Sequence, residues 1–569
     1  MAARVEVLAD EAAHSPVAAG RTCAASLLRL ERERSRAAFY ARWNPQLRID
    51  SIDLGVSSLN AIYTNCEAQL MSGRAKDDAT ERLAVELFND DVGRRAFDEI
   101  SRNGALHIAG VPNGALDRLR SLAERYVDAS NARDATSIRA RLEGMEHALA
   151  VRFPQLAAIM LPQAFSHPSS WQRSLTANEA ILIDDISGNA LNVWVITPTA
   201  IRGVRLSNVL PTLLRRSKTI TGIVRHIERS GGARRRVETQ ERSRYDATVR
   251  KLAALLLPQS LSGILAPYRH IFIIPTGILY RISYATLRQN HRYLAQRVDL
   301  AYLSSPSLLP LIRRAEQSTR VATSRSWLVA FADPLLSGST SPNDATRSNG
   351  SSLLRLPPLP DTAIEAKRAA SDFSPKGSFR ILSRAAASDR SLLHLNADGS
   401  LRHYRYILFA THGVVAARPN RTRRPYIVLS HPNLTTGSGL VGVSDVMKLR
   451  LNARMVMLST CDSGFSYTSD NEGEAEFGRA FMGAGARSVA LTLWQIADLR
   501  GSVASGLLFA RLAKGEAPAI ALRRTQIEMF THPGRGDPEG GSANVASNPM
   551  NWGPYVIFGD GFNSSPAGT

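Results

Sequence analysis

Two short apolar runs constrain this chain more than anything else in it, because each ends abruptly in a side chain capable of chemistry. Met455-Val456-Met457-Leu458 runs into Ser459-Thr460-Cys461-Asp462-Ser463-Gly464, and Tyr406-Ile407-Leu408-Phe409-Ala410 runs into Thr411-His412-Gly413. Apolar runs this short, bounded by polar residues, suit central strands covered on both faces better than helices, which need roughly ten residues or more. In a sheet of such strands, ligands gather at the carboxyl ends. Neighbouring strands that finish in His412 and Cys461 bring an imidazole and a thiol to one edge, the pairing that nucleophilic thiol chemistry requires.

The surrounding pattern supplies the rest of that sheet. Trp327 to Pro334 reads as a strand, and a helix is expected to open at Thr362 with Glu365 three residues on, at capping-box spacing. A strand at Phe379 to Leu382 and a helix at Ala386 to Leu395 precede the histidine strand. After the cysteine come a loop (Phe465 to Gly473), a helix (Glu474 to Met482), a strand (Ser488 to Leu493), two helices through Phe530, and a last strand at Tyr555 to Phe558. Alternation of this kind implies an α/β fold with a mostly parallel sheet flanked by helices. Gly483-Ala484-Gly485-Ala486 follows a helix and precedes a strand, as a helix C-cap does. Gly437-Ser438-Gly439-Leu440-Val441-Gly442 spells G-x-G-x-x-G but opens no long helix after a strand, so it is not read as a dinucleotide fingerprint.

Upstream the texture differs. From about Ser26 to Leu161 the pattern is helical, with apolar stripes at Leu116, Leu119, Leu122 and Tyr126 and at Ile138, Leu142, Met145, Leu149 and Phe153. No 34-residue repeat is found, which favours a helical packing arm over a repeat-built receptor. Ala180 to Ile186 and Leu191 to Thr197 flank a Ser-Gly-Asn-Ala turn and read as a hairpin. Two basic helices follow, and then a strand at His270 to Pro275. Segments 337–352 and 531–550 are rich in Gly, Ser, Asn and Pro and read as loops.

Taken together, Phe409-Ala410-Thr411-His412-Gly413 and Leu458-Ser459-Thr460-Cys461-Asp462-Ser463-Gly464 resemble the His-Gly and Ser-Ala-Cys-Glu-Thr-Gly signatures of the CHAT family, caspase-like peptidases associated with TPR repeats. The likeness continues through Glu472-Gly473, Arg479 to Val489, Leu493-Trp494 with Asp498, and Trp552 to Asp560. Thr460 stands for the usual Ala, and Asp462-Ser463 for Glu-Thr. The resemblance implies that His412 shuttles a proton and Cys461 attacks, while the backbone N–H groups of Cys461 and Gly413 hold the oxyanion. It also implies a pseudo-caspase lobe ahead of the catalytic half. The expected division is a helical N-terminal region (1–170), that lobe (171–320), the catalytic half (321–562) and a tail (563–569). Related peptidases bind a basic P1 side chain with an acid, for which Asp445, Asp462 and Glu472 are candidates; helix-end or loop roles are the plainer reading of each.

Bulk properties exclude several classes. The first ten residues acquire acids and lack an apolar core, so no secretory signal is expected, and no apolar stretch reaches the roughly 20 residues that span a bilayer. Cys23, Cys66 and Cys461 are widely spaced, which suggests neither a disulfide framework nor a thiolate metal site and fits a reducing cytoplasm. No metal or other cofactor is expected. The net charge of +20 invites a nucleic-acid reading, but the arginines are dispersed. The densest segment, Arg225 through Arg250, is interrupted by Glu228, Glu238, Glu241 and Asp246 and reads as a solvated helical face. The resemblance to the CHAT family implies a cysteine endopeptidase acting on a protein partner in bacterial signalling or defence, with regulatory binding through the N-terminal helices. The alternative is a catalytically silent caspase-like scaffold.

Overall fold

The computed structural model describes residues 20–24, 56–71, 78–102, 167–230, 234–310, 326–336, 358–373, 377–417, 423–430, 439–463, 473–494, 498–532 and 547–563, with scattered positions between them. The chain forms two compact units, each assembled from separate stretches. The first takes Met1–Leu213, Leu255–Thr276 and Leu303–Arg320, and the second takes Leu214–Ala254, Gly277–Tyr302 and Val321–Thr569.

The first unit is built on β1 (Glu179–Ser187), β2 (Ala190–Ile196), β3 (Ile201–Leu206) and β4 (His270–Pro275). β1 and β2 form the expected hairpin, with Ser187 opposite Ala190. Gly188 has φ +62, the positive value that the first central position of a II′ turn needs. β3 adds antiparallel to β2 and β4 adds parallel to β1. β3 was not expected; its alternation is short and carries Arg202 and Arg205, which mask the period.

The helices Val56–Leu70 and Asp78–Arg102 pack on this sheet. Ser187 donates to Glu67 at 2.6 Å, the Gly203 N–H donates to Glu81 at 3.1 Å, and Phe88 lies 5.5 Å from Trp194 between ring centroids. Gly203 has to be glycine, since a Cβ there would stand 2.4 Å from the Trp194 ring. Through these contacts both helices pack on the sheet. The two apolar stripes further along lie largely outside the described residues. Cys23 and Cys66 form a disulfide with Cα atoms 5.7 Å apart, contrary to the expectation from their spacing. Sequence separation of 43 residues hid a pairing that only the tertiary packing creates. The cysteine argument for a reducing compartment therefore falls.

The second unit holds a small hairpin, β5 (Arg288–Gln289) and β6 (Arg292–Tyr293), and a large sheet. The sheet contains β7 (Asp299–Tyr302), β8 (Ser326–Pro334), β9 (Ser378–Arg384), β10 (Tyr406–Ala417), β11 (Arg423–Val428), β12 (Leu440–Gly442), β13 (Met455–Ser463), β14 (Ser488–Thr492) and β15 (Tyr555–Gly559). Its main body has the order β9-β8-β10-β13-β14-β15-β7, all parallel pairs except β14 with β15. β11 and β12 extend the far half of β10 as an antiparallel meander. This is the mostly parallel, helix-flanked α/β sheet expected from the alternation.

Period-two alternation sends Tyr406 and Phe409 of β10 to opposite faces, and a helical layer covers each. Phe409 stacks on Phe331 of β8 at 5.1 Å and meets Phe481 of the helix Gly473–Gly483 at 5.8 Å. Tyr406 stacks on Phe373 at 5.1 Å and meets Phe509 of the helix Asp498–Ala513 edge-on at 6.2 Å. Burying such a ring contributes about 1.5–3 kcal/mol, which fixes this strand as the centre of the core.

The helix Gly473–Gly483 ends as the glycine pattern implied. Gly485 N–H donates to Met482 O and Ala486 N–H to Phe481 O, a Schellman cap, with Gly485 at φ +110. The expected capping box at Thr362 is not formed. The helix starts earlier, at Pro360, so Thr362 and Glu365 lie inside it and are buried. There the Thr362 hydroxyl donates to Leu359 O and accepts from the Asp333 N–H, and Glu365 accepts from Ser505.

The basic segment also differs from its expected form. The helix Arg234–Leu256 buries Glu238 (0% exposed) and Glu241 (9% exposed) instead of dispersing them on a solvated face.

Candidate functional site

The order β9-β8-β10 reverses the direction of strand addition, because β9 is laid on one side of β8 and β10 on the other. At such a topological switch point the carboxyl ends of the two flanking strands splay and leave a crevice for ligands. His412 lies at that end of β10. The strand does not stop there, as its apolar run implied, but continues to Ala417. Up to Ala410 it lies between β8 and β13, and from Gly413 onward it pairs antiparallel with β11. The Thr411 hydroxyl donates to Val428 O and anchors the change of partner.

β13 likewise runs past the cysteine, to Ser463. Its register with β10 holds from Tyr406 opposite Met455 to Thr411 opposite Thr460, then resumes at Gly413 opposite Ser463. Between these points β10 spends one residue, His412, and β13 spends two, Cys461 and Asp462. This is a β-bulge in a parallel pair, a rare feature that occurs preferentially beside active sites and re-aims side chains. Adjacent strands are about 4.8 Å apart, so the histidine and the cysteine stand on neighbouring backbones at one level of the sheet. Gly413 follows directly, paired with Ile427 of β11 on one side and Ser463 of β13 on the other.

His412 is 2% exposed. Thr411 and Ser459, its neighbours along and across the strands, are equally enclosed.

The three candidate pocket acids are Asp445, Asp462 and Glu472. Asp445 sits in the single turn Val443–Val446, where it accepts from the Gly442 N–H at 3.2 Å and from Lys448 at 3.2 Å, a helix-start role. Asp462 is in the bulge opposite His412. Glu472 lies outside the described residues. Sequence reading passed over an acid at the same edge: Asp333, one residue past the Ala332–Ala410 pair, is 8% exposed with φ +45 and has Arg384 at 3.5 Å. Left-handed backbone at a non-glycine residue is strained and concentrates at functional edges. The only sequence signal was an Asp-Pro pair ending a strand.

The CHAT domain family model matches residues 246–560. No curated protein matches the chain. Among solved structures, the Saccharomyces cerevisiae separase–securin complex aligns over 88% of this chain and 37% of its own, at 10% identity and a TM-score of 0.45. The Arg-specific cysteine proteinase gingipain R aligns over 55% of this chain and 67% of its own, at 10% identity and a TM-score of 0.34. A complex of Porphyromonas gingivalis RgpB pro- and mature domains gives 55%, 69%, 11% and 0.34 for the same quantities. The chain thus spans well under half the length of the separase chain it resembles.

Proposed function

Because the chain belongs to the CHAT domain family, we propose that it is a cysteine endopeptidase that cuts a protein partner through a His412–Cys461 dyad. The reading is supported above all by the register: one histidine stands opposite a cysteine across a bulge, at the carboxyl ends of adjacent parallel strands beside the switch point. In this scheme the Cys461 thiol gives its proton to His412, and the thiolate attacks the scissile carbonyl. The resulting oxyanion is held by the N–H groups of Gly413 and Cys461. Collapse breaks the C–N bond, and the imidazolium protonates the departing amine. Water, deprotonated by His412, then hydrolyses the thioacyl-enzyme. A backbone carbonyl suffices to orient the ring, so no third acid is required. The setting we infer is bacterial signalling or defence.

Burial of His412 favours a second reading for the resting protein, a scaffold that binds its partner without cutting it. The two are separated by incubating the purified protein with proteins encoded beside it and mapping new termini by mass spectrometry. A peptidase generates termini that vanish in both Cys461→Ala and His412→Ala while partner binding persists. Termini that survive in Cys461→Ala would end the dyad assignment, and a stable complex with no new termini would support the scaffold.

A further inference from the structure

The helices Leu210–Arg229 and Arg234–Leu256 sort by sign the charges that the sequence leaves mixed. On the first, Arg215, Lys218, Arg225 and Arg229 recur at steps of three, seven and four, which places them on one stripe about 21 Å long. All four are exposed. On the second, Arg236, Arg244, Arg250 and Lys251 are exposed within one broad stripe, separated by small neutral residues such as Ser243 and Ala247.

The acids point elsewhere. Glu238 is wholly buried against Arg500 at 3.0 Å, and Asp246 is half-buried and pairs with Arg288 at 2.9 Å. Glu241 takes His226 at 2.9 Å, which brings the two helices side by side, and Arg244 at 3.4 Å. Glu228 is half-buried. Among the described side chains of residues 214–254 no acid is exposed, so the outer faces carry only positive charge.

From this segregation we propose that the paired basic faces bind the phosphate backbone of a nucleic acid without reading its sequence. An acidic protein partner fits the surface less well. Protein interfaces take their energy from aromatic and apolar anchors, and the only exposed large hydrophobic residue among the described side chains of these helices is Leu214, at 38%. A backbone of phosphates needs only spaced cations, and six of the eight are arginines, whose planar forks match phosphate oxygens. The net charge of +20 adds long-range attraction of the same sign.

The test is fluorescence anisotropy of the full chain with a labelled 30-base-pair duplex of random sequence, titrated with salt. The affinity is expected to fall linearly with salt on a log–log plot, by a slope of about 0.9 per phosphate contacted. A Lys218→Gln, Arg229→Gln, Arg244→Gln, Arg250→Gln variant is expected to lose at least tenfold in affinity at the lowest salt and to show a shallower slope. A control with the same charge change at exposed positions elsewhere, Lys367→Gln, Arg380→Gln, Arg390→Gln and Arg402→Gln, is expected to stay within about twofold of the parent. The eight residues substituted in the two variants are all exposed, and matched thermal melts check that both fold. The proposal is overturned if the duplex does not bind at low salt, if the two variants weaken binding equally, or if poly-glutamate displaces the duplex at equal charge concentration. That last outcome would assign the face to an acidic protein.

Discussion

Glu238 offers the sharpest test of how this chain handles its charges. Its carboxylate is completely buried, accepts from the Arg500 guanidinium at 3.0 Å and from Asn551 at 3.3 Å, and its own carbonyl accepts from Asn548 at 2.8 Å. One helix of the basic pair is thereby tied to the helix Asp498–Ala513 and to the segment before β15. Glu238→Ala leaves the guanidinium, only 16% exposed, without its carboxylate. Removing one member of a buried pair costs about 3–5 kcal/mol. Residual solvation of Arg500 sets the expectation near the lower bound, about 3 kcal/mol. With a urea m-value of about 3 kcal/mol/M, that moves the midpoint down by roughly 1 M. Tryptophan fluorescence is a suitable probe, since Trp494 donates to Met550 O at 2.9 Å and Trp552 to Ser547 O at 3.3 Å in the tethered segment. Glu238→Met combined with Arg500→Met removes both charges and is expected to cost clearly less than the sum of the two single changes. A Glu238→Ala midpoint within about 0.2 M of the parent, or strict additivity in the double variant, would refute the reasoning.

Gly485→Ala places a Cβ 2.2 Å from Leu451 O at a φ of +110, and is expected to lower stability by about 2–4 kcal/mol, read as a drop in thermal midpoint. Thiol counting under denaturing conditions is expected to give one alkylated cysteine, Cys461, before reduction and three after it; three before reduction would remove the Cys23–Cys66 bond. Burial holds the Asp372 carboxyl above its ordinary value, with Lys514 partly opposing. A raised folded value means that the unfolded chain releases this proton first, so stability falls as pH rises through the interval between the two values. Asp372→Asn is thus expected to be more stable than the parent at neutral pH, with the gain disappearing below the ordinary value of 3.8; an equal gain at both extremes would contradict the burial argument.

What the sequence revealed depended on how much of each signal was local. Apolar runs such as His270–Pro275 and Met455–Leu458 announce buried strands because burial on both faces leaves no polar residue in them. β3, β7 and β11 gave no such signal. β3 and β11 carry arginines, and β7 is four residues long and begins with Asp299, which is held by Arg523. Thr362 and Glu365 matched a capping box in spacing alone, since nothing local shows that the turn begins at Pro360. The histidine and cysteine strands were legible, and their adjacency followed from alternating α/β order. The bulge, by contrast, is a property of the pairing and has no trace in either segment. The inward turn of Glu238 depends on Arg500, more than 260 residues away, so the run Arg225 to Arg250 looked balanced when its exterior is not.

The chain passes from one unit to the other at residues 213, 254, 276, 302 and 320 before it remains in the second. One consequence concerns construction: no single cut upstream of residue 320 yields either unit whole. An expression fragment beginning at the CHAT match would lose the helix Leu210–Arg229 and most of Arg234–Leu256, and with them six of the eight cations of the basic surface and Glu238. Recombination that swaps modules between relatives meets the same obstacle, because the two halves of this protein are plaited along the polypeptide and have to be inherited together.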